Sequence, residues 1–248
     1  MRAPTIGFIY PDHAAEDDYP LAASILAGSG LEVELEVAHI YGTDLHAVPE
    51  LLDLGSPDKL RHGVELLAPR RPAAVVWACT SGSFVYGPRG AREQAAGLAA
   101  AAGVPATSTG IAFADAARAL GVGTVAVAAS YPDDVARLFV DFLADAGVEV
   151  VHMASAGIDT AAEVGTLDAA RVRELALSND HPDARAVLIP DTAMHTLAVL
   201  PELEAALGKP VLTANQVTVW GGLRLAGLHA DCPALGALFA ERRARVAP

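Results

Sequence analysis

Short apolar runs alternate along this chain with longer stretches rich in Ala and Leu. The apolar runs contain β-branched residues and are bounded by Gly, Pro or Asp, which is typical of buried strands. Alternating strands and helices predict a parallel sheet covered by helices, so the predicted fold class is α/β. The predicted strands cover residues 5–10, 31–39, 73–78, 104–107, 124–130, 148–154, 184–189 and 210–213.

Two of the predicted helices have recognisable starts. Helix 57–67 has Ser56 as its N-cap and Pro57 at its first position, and helix 132–146 opens with Pro132. Proline is favoured at a helix start because its missing N–H would have had no partner there.

Three short motifs of the first half of the chain return in the second half in the same order. They are YPD at 10–12 and 131–133, GLEV at 30–33 and GVEV at 147–150, and GVP at 103–105 and GKP at 208–210. Such repetition predicts two pseudo-symmetric halves, residues 1–121 and 122–248, each a doubly wound unit with its own parallel sheet.

Candidate reactive groups follow the predicted strands. In doubly wound units the functional groups lie past the carboxyl ends of the strands. Pro11 and Asp12 close the first strand, Cys79 follows the third, Tyr131 follows the fifth, and Asp191 follows the seventh. We therefore expect one site between the halves, with an acid/base group on either side.

Cys79 is the strongest of these candidates. A thiol beside the backbone N–H groups of a helix start has a lowered pKa and can act as a nucleophile or base. The alternative is a buried structural cysteine. The small hydroxyl residues that follow, Thr80, Ser81 and Ser83, favour the functional interpretation, because apolar packing does not need them.

The other candidates each have a structural alternative. Asp191 is either an acid/base group whose pKa is raised by burial or the N-cap of the next helix. Tyr131 either donates its hydroxyl to a substrate carboxylate or packs, and Asp12 either faces the cleft or makes a turn. His195 is either a partner of Asp191 or a structural histidine. Cys232 follows no predicted strand, so we interpret it as structural.

Composition limits the partners. Seventeen basic and 30 acidic residues give a net charge of −13, which argues against nucleic acid and means that local donors must hold an anionic substrate. We find no nucleotide-binding glycine motif and no histidines at metal-ligand spacing, so we predict neither cofactor nor metal. The apolar runs are too short to span a membrane. We expect a cytoplasmic protein with reduced thiols, and short exposed helices allow a homo-oligomer.

Six segments of the chain have a familiar sequence. They are CTS at 79–81, ASYPDDV at 129–135, TL at 196–197, LPELE at 200–204, GKPV at 208–211 and residues 220–227. In these segments the sequence resembles the aspartate/glutamate racemase superfamily, within it the branch of maleate cis-trans isomerases and arylmalonate decarboxylases. The resemblance covers nearly the whole chain. It implies a cofactor-independent enzyme whose substrate lies between two pseudo-symmetric halves.

The resemblance also implies roles for individual residues. In the isomerases a cysteine at the position of Cys79 is the nucleophile and a second cysteine in the other half is the acid/base; here Asp191 occupies the second position. The decarboxylases keep the second cysteine as proton donor and lack the first. The groups implied to bind the substrate carboxylate are Thr80, Ser81, Tyr131 and the backbone around Thr192 and Ala193.

Our leading hypothesis is therefore an isomerase of a small carboxylic acid, with a maleate-like dicarboxylate as substrate, Cys79 as nucleophile or base and Asp191 as the opposed acid/base. An arylmalonate-type decarboxylase, in which Cys79 protonates the intermediate, is the alternative enzyme. A third hypothesis is a non-catalytic carboxylate-binding accessory protein of a catabolic pathway.

Overall fold

Eight parallel strands form two four-stranded sheets in the computed structural model, which describes residues 3–240. The first sheet has the order β2-β1-β3-β4 and the second has the order β6-β5-β7-β8. The strands are β1 Thr5–Pro11, β2 Glu34–Ile40, β3 Ala74–Trp77, β4 Ala106–Ser108, β5 Thr124–Ala129, β6 Glu149–Ser155, β7 Ala186–Ile189 and β8 Val211–Thr213. All eight predicted strands and the predicted α/β class with two doubly wound parallel sheets are thus confirmed.

Helices cover both sheets. In the first half they are α1 Asp18–Gly28, α2 Val48–Leu54, α3 Pro57–Leu67, α4 Ser81–Phe84, α5 Gly87–Ala102 and α6 Thr109–Leu120. In the second half they are α7 Asp133–Asp145, α8 Ala161–Gly165, α9 Ala169–Ser178, α10 Leu200–Leu207 and α11 Ala214–Leu225. Short 3-10 turns cover Ala68–Arg70 and Pro233–Leu235. Among the described residues, no helix has the length and apolar content that crossing a membrane requires.

The central strands are buried because helices cover both of their faces. Every residue of β3 (AVVW) and of β7 (AVLI) is buried, as expected for continuous apolar strands of a parallel sheet. The predicted start of α3 is confirmed, with Ser56 as the N-cap and Pro57 as the first residue, although the Ser56 side chain makes no capping hydrogen bond. The other predicted start needs correction, because Pro132 is the N-cap of α7 and Asp133 is its first residue.

Helix α11 joins the two halves. It follows the last strand of the second sheet, yet it packs against α6, β3 and β4 of the first half. Gly222 allows this close approach, since a Cβ there would lie 2.6 Å from Ile6 Cγ2 and 3.1 Å from Val76 Cγ2. In the other direction, α4 and α5 contact α7 of the second half.

The division at residues 121 and 122 separates the two sheets in sequence, but helices from each half contact the other. The halves 1–121 and 122–248 therefore stay a prediction as domains. Their outermost residues, 1–2 and 241–248, lie outside the described residues.

We predict that Gly222→Ala destabilises the protein by about 1–3 kcal/mol, because the added methyl group overpacks the contact of α11 with the first sheet. Gly97→Ala is the matched control. Gly97 is an exposed position within α5 where a Cβ would meet nothing within 4 Å, so the same change should add about 0.5–1 kcal/mol of helix stability. Urea unfolding of both variants measures the difference, and equal stabilities would contradict the close contact of α11.

Candidate active site

Loops from both halves converge on a small cavity at the carboxyl ends of the strands. Its volume is about 30 Å³, which holds roughly two water molecules at most. The lining residues are Pro11, Asp12, Gly42, Thr43, Asp44, His46, Leu51, Leu54, Cys79, Ser81, Ala161, Asp191, Thr192 and Ala193. The structure therefore places Cys79 and Asp191, the two predicted catalytic residues, around one small cavity.

The thiol of Cys79 is held between β3 and the short helix α4. Its side chain is buried, and Sγ accepts a hydrogen bond from the Gly82 backbone N–H at 3.2 Å and lies 3.7 Å from Ser81 Oγ. Burial raises the pKa of Cys79 to about 11, the Gly82 N–H partly offsets this, and the charge of Asp191 adds to the increase. The thiol is therefore protonated at neutral pH.

The direction of this pKa shift corrects the prediction that a helix start lowers it. Helix α4 is a single turn of four residues, and a helix dipole acts only near the end of an adequately long helix. Desolvation of the thiolate in a closed cavity is the larger effect.

Asp191 follows β7 of the second half, lines the same cavity and is 3 % exposed. Its Oδ1 accepts a hydrogen bond from the Ala193 N–H at 2.9 Å, and its Oδ2 accepts one from the Ser130 hydroxyl. Turns and irregular chain occupy residues 192–199 until α10 begins at Leu200, so Asp191 is not the N-cap of a helix. Both of its oxygens therefore accept hydrogen bonds, which fix the orientation of the carboxylate.

His46 is a site residue that the sequence reasoning missed. It lies on the loop after β2, and its side chain is buried against the second half. Nδ1 is 3.1 Å from the carbonyl oxygen of Ile158, Nε2 is 3.9 Å from Asp191 Oδ2, and the ring meets Tyr131 edge-on at 4.9 Å between centroids. The only sequence signal is its position after a strand whose carboxyl end faces the cleft.

A short cross-connection between the halves covers the cavity. We call residues 43–46 and 158–161 the clasp. The His46 N–H donates to the Asp159 carbonyl at 2.7 Å, the Ala161 N–H donates to the Asp44 carbonyl at 2.9 Å, and Leu45 forms an antiparallel bridge with Thr160. Four clasp residues, Thr43, Asp44, His46 and Ala161, line the cavity.

The charges around the cavity are mostly negative. Asp12, Asp44 and Asp191 line it, and of the lining residues in the part of the chain that the structure describes only His46 can carry a positive charge. Asp12 has a positive φ of 51°, an uncommon conformation for a residue other than glycine, and its backbone N–H donates to the Ile40 carbonyl. An anionic substrate must therefore be bound by His46 or by neutral donors.

The other predicted binding residues divide into two groups. The first group lines the cavity and consists of Ser81, Thr192, Ala193, Pro11 and Asp12. The Ala193 N–H already donates a hydrogen bond to Asp191. Thr80 and Tyr131 lie behind the lining. The Tyr131 hydroxyl donates to the Pro190 carbonyl at 2.5 Å, and the buried Thr80 hydroxyl has no hydrogen-bond partner in the described part of the chain. Their substrate-binding roles stay predictions.

Two further residues of the sequence analysis lie away from this site. His195 pairs with Asp17 at 2.9 Å and not with Asp191. Cys232 is buried where Ser29 Oγ donates to its Sγ at 3.0 Å, and it does not line the cavity.

One cluster within residues 3–240 has side chains that metal ions favour. Ligand atoms of His13, Glu16 and His39 all lie within 4.8 Å of one another. Two contacts explain why these side chains lie together. His13 Nδ1 is 2.7 Å from Glu16 Oε1, and the ring centroids of His13 and His39 are 4.0 Å apart. None of the three residues lines the cavity.

Comparisons with known proteins identify similar enzymes. The family model for arylmalonate decarboxylase matches residues 55–239. The chain is 31% identical over 246 residues to the arylmalonate decarboxylase of Bordetella bronchiseptica, covering 96% of this chain and 97% of that one. It is 27% identical over 204 residues to the maleate isomerase of Geobacillus stearothermophilus, covering 80% and 81%.

A solved structure of the same fold comes from Nocardia farcinica. It is a cysteine-to-serine mutant of a maleate cis-trans isomerase with a covalently bound succinylcysteine intermediate. It matches with a TM-score of 0.86 at 21% identity and covers 96% of this chain and 98% of that one.

We predict that alkylation of Cys79 by iodoacetamide is slow at pH 8 and still rises about tenfold per pH unit up to pH 10. Only the thiolate reacts, and a pKa of about 11 leaves it a minor species throughout this range. Mass spectrometry of the modified peptide gives the rate, and the Cys79→Ser variant gives the background from Cys232. A rate that levels off at or below about pH 9, as for an ordinary thiol, would contradict the raised pKa.

Proposed function

Because the chain belongs to the arylmalonate decarboxylase family, we propose that it is a cofactor-independent enzyme that transforms a small carboxylic acid between Cys79 and Asp191. The family match confirms the predicted branch of the superfamily. One observation carries the proposal: a buried thiol from one half and a buried carboxylate from the other line the same small cavity.

The leading candidate reaction is cis-trans isomerisation of a maleate-like acid. Cys79 loses its proton to Asp191, and its sulfur forms a bond to one alkene carbon while the π electrons move into the neighbouring carboxylate as an enediolate. The remaining carbon–carbon single bond rotates. Expulsion of the sulfur restores the double bond, and Asp191 returns the proton to the thiolate. No proton or electron is gained or lost overall.

One feature favours isomerisation. The proposed reaction needs a second acid/base group near the thiol, and Asp191 lines the same cavity as Cys79. A maleate isomerase is among the relatives of similar length.

Decarboxylation of a malonate-type acid is the second candidate, favoured by the protonation state of Cys79. Loss of carbon dioxide leaves the electron pair of the broken carbon–carbon bond in an enediolate. The thiol then gives its proton to the carbon, and water reprotonates the thiolate. A thiol with a pKa of about 11 already holds this proton at neutral pH.

Both reactions pass through an enediolate, which neutral donors at the developing charge can stabilise. Ser81 and Thr192 line the cavity and are the proposed donors. Thr80, whose buried hydroxyl lacks a partner, and Tyr131 are proposed to join them when a substrate opens the site. The cytoplasmic location and a homo-oligomer also stay predictions.

Incubation with maleate and with a disubstituted malonate separates the candidates. Fumarate formation, followed by chromatography, indicates isomerisation, and release of carbon dioxide indicates decarboxylation. We expect Cys79→Ser to lower the rate at least about 10³-fold with an unchanged circular dichroism spectrum, because the reacting group itself is removed. Cys232→Ser is the matched control and should keep its activity.

Turnover that survives in the Cys79→Ser variant would overturn the proposed role of the thiol. Tight binding of either acid without turnover would favour the third hypothesis, a carboxylate-binding accessory protein.

A further inference from the structure

We propose that Asp191 holds His46 as an imidazolium, and that this cation binds the substrate carboxylate and stabilises the enediolate. The inference deepens the proposed function and rests on it. It assigns to His46 a role that neither the sequence nor the resemblance suggested.

The hydrogen bonds of His46 fix the position of one proton. Nδ1 lies 3.1 Å from the Ile158 carbonyl oxygen, which can only accept, so Nδ1 carries a hydrogen. In a neutral imidazole Nε2 would then be a bare acceptor. It would face the Asp191 carboxylate at 3.9 Å, and two acceptors repel each other.

The hydrogen bonds of Asp191 decide which partner carries the second proton. Its Oδ1 accepts from the Ala193 N–H and its Oδ2 accepts from the Ser130 hydroxyl. Both oxygens are thus held as acceptors, as in an ionised carboxylate. A proton on His46 Nε2 turns the repulsive contact into an ion pair between two buried side chains.

The surroundings strengthen this assignment. The other titratable groups that line the cavity are Asp12 and Asp44, whose charges favour an imidazolium, and Cys79, which is protonated. Tyr131 meets the ring edge-on, and burial raises its pKa so that it is neutral. Among residues 3–240, no lysine or arginine lines the cavity, so within this part of the chain His46 supplies the positive charge.

The position of His46 also connects substrate binding to closure. The backbone N–H and Nδ1 of His46 both contact residues 158–159 of the second half, whereas His46 itself belongs to the first half. The imidazolium therefore reaches the Asp191 side of the cavity only when the clasp is closed. A substrate carboxylate that draws in this cation would favour the closed site.

The first test is independent of activity. In protein with ¹⁵N-labelled histidine at pH 7, NMR should show hydrogen on both ring nitrogens of His46. In the Asp191→Asn variant, His46 should become neutral with hydrogen on Nδ1 alone. A neutral His46 in the unaltered protein would overturn the inference, even if no substrate were turned over.

The second test uses the substrate that proves active. His46→Gln should lower kcat/KM at least about tenfold, because a charge-assisted hydrogen bond to the carboxylate is lost. In the unaltered protein kcat/KM should fall as rising pH deprotonates the imidazolium, and the variant should lack this fall.

His152→Gln is the matched control for that substitution. His152 is a partly buried histidine on β6, away from the cavity, where its Nε2 lies 3.4 Å from Asn179 Oδ1. The His152→Gln variant should keep both the kcat/KM of the unaltered protein and its pH dependence. The same kcat/KM and pH dependence in the His46→Gln and His152→Gln variants would overturn the inference.

Discussion

The thiol of Cys79 and the carboxylate of Asp191 line the same small cavity, and the chemistry of the site depends on their burial beside each other. A hydroxyl and a backbone N–H donate to the two oxygens of the carboxylate. Burial is the largest cause of the raised pKa of Cys79, Tyr10 and Tyr131, and the charge of Asp191 raises all three further. The groups around Asp191 are therefore neutral proton donors, and His46 is the residue that balances its charge.

The two halves must keep a fixed relation for this interaction to exist, since each contributes one of the two groups. The fold achieves this by exchanging helices. Helix α11 of the second half packs on the first sheet, with the Thr218 and Thr109 hydroxyls 2.6 Å apart, while α4 and α5 contact α7. The clasp adds a smaller, polar connection directly above the cavity. The packed interface of α11 is extensive, whereas the clasp consists of a few hydrogen bonds. This difference suits a site that opens at the clasp.

The sequence predicted the strands well because buried parallel strands are apolar on both faces and are bounded by turn residues. It also placed Cys79 and Asp191 together, because the carboxyl ends of parallel strands share one edge. It gave the wrong direction for the pKa of Cys79, since a local rule on helix starts contains no information on burial. His46 was missed because its loop has no periodic pattern, and its partners Ile158 and Asp191 are distant in sequence.

A crystal structure with a bound small dicarboxylate tests the central claim most directly, namely that chemistry takes place between the thiol and the carboxylate of opposite halves. Crystals of the Cys79→Ser variant soaked with maleate should show the bound ligand, because the substitution slows turnover. We expect the alkene carbons of maleate to lie between position 79 and Asp191, with one carboxylate against Ser81 and His46 Nε2. Maleate bound elsewhere, with the cavity closed, would contradict it.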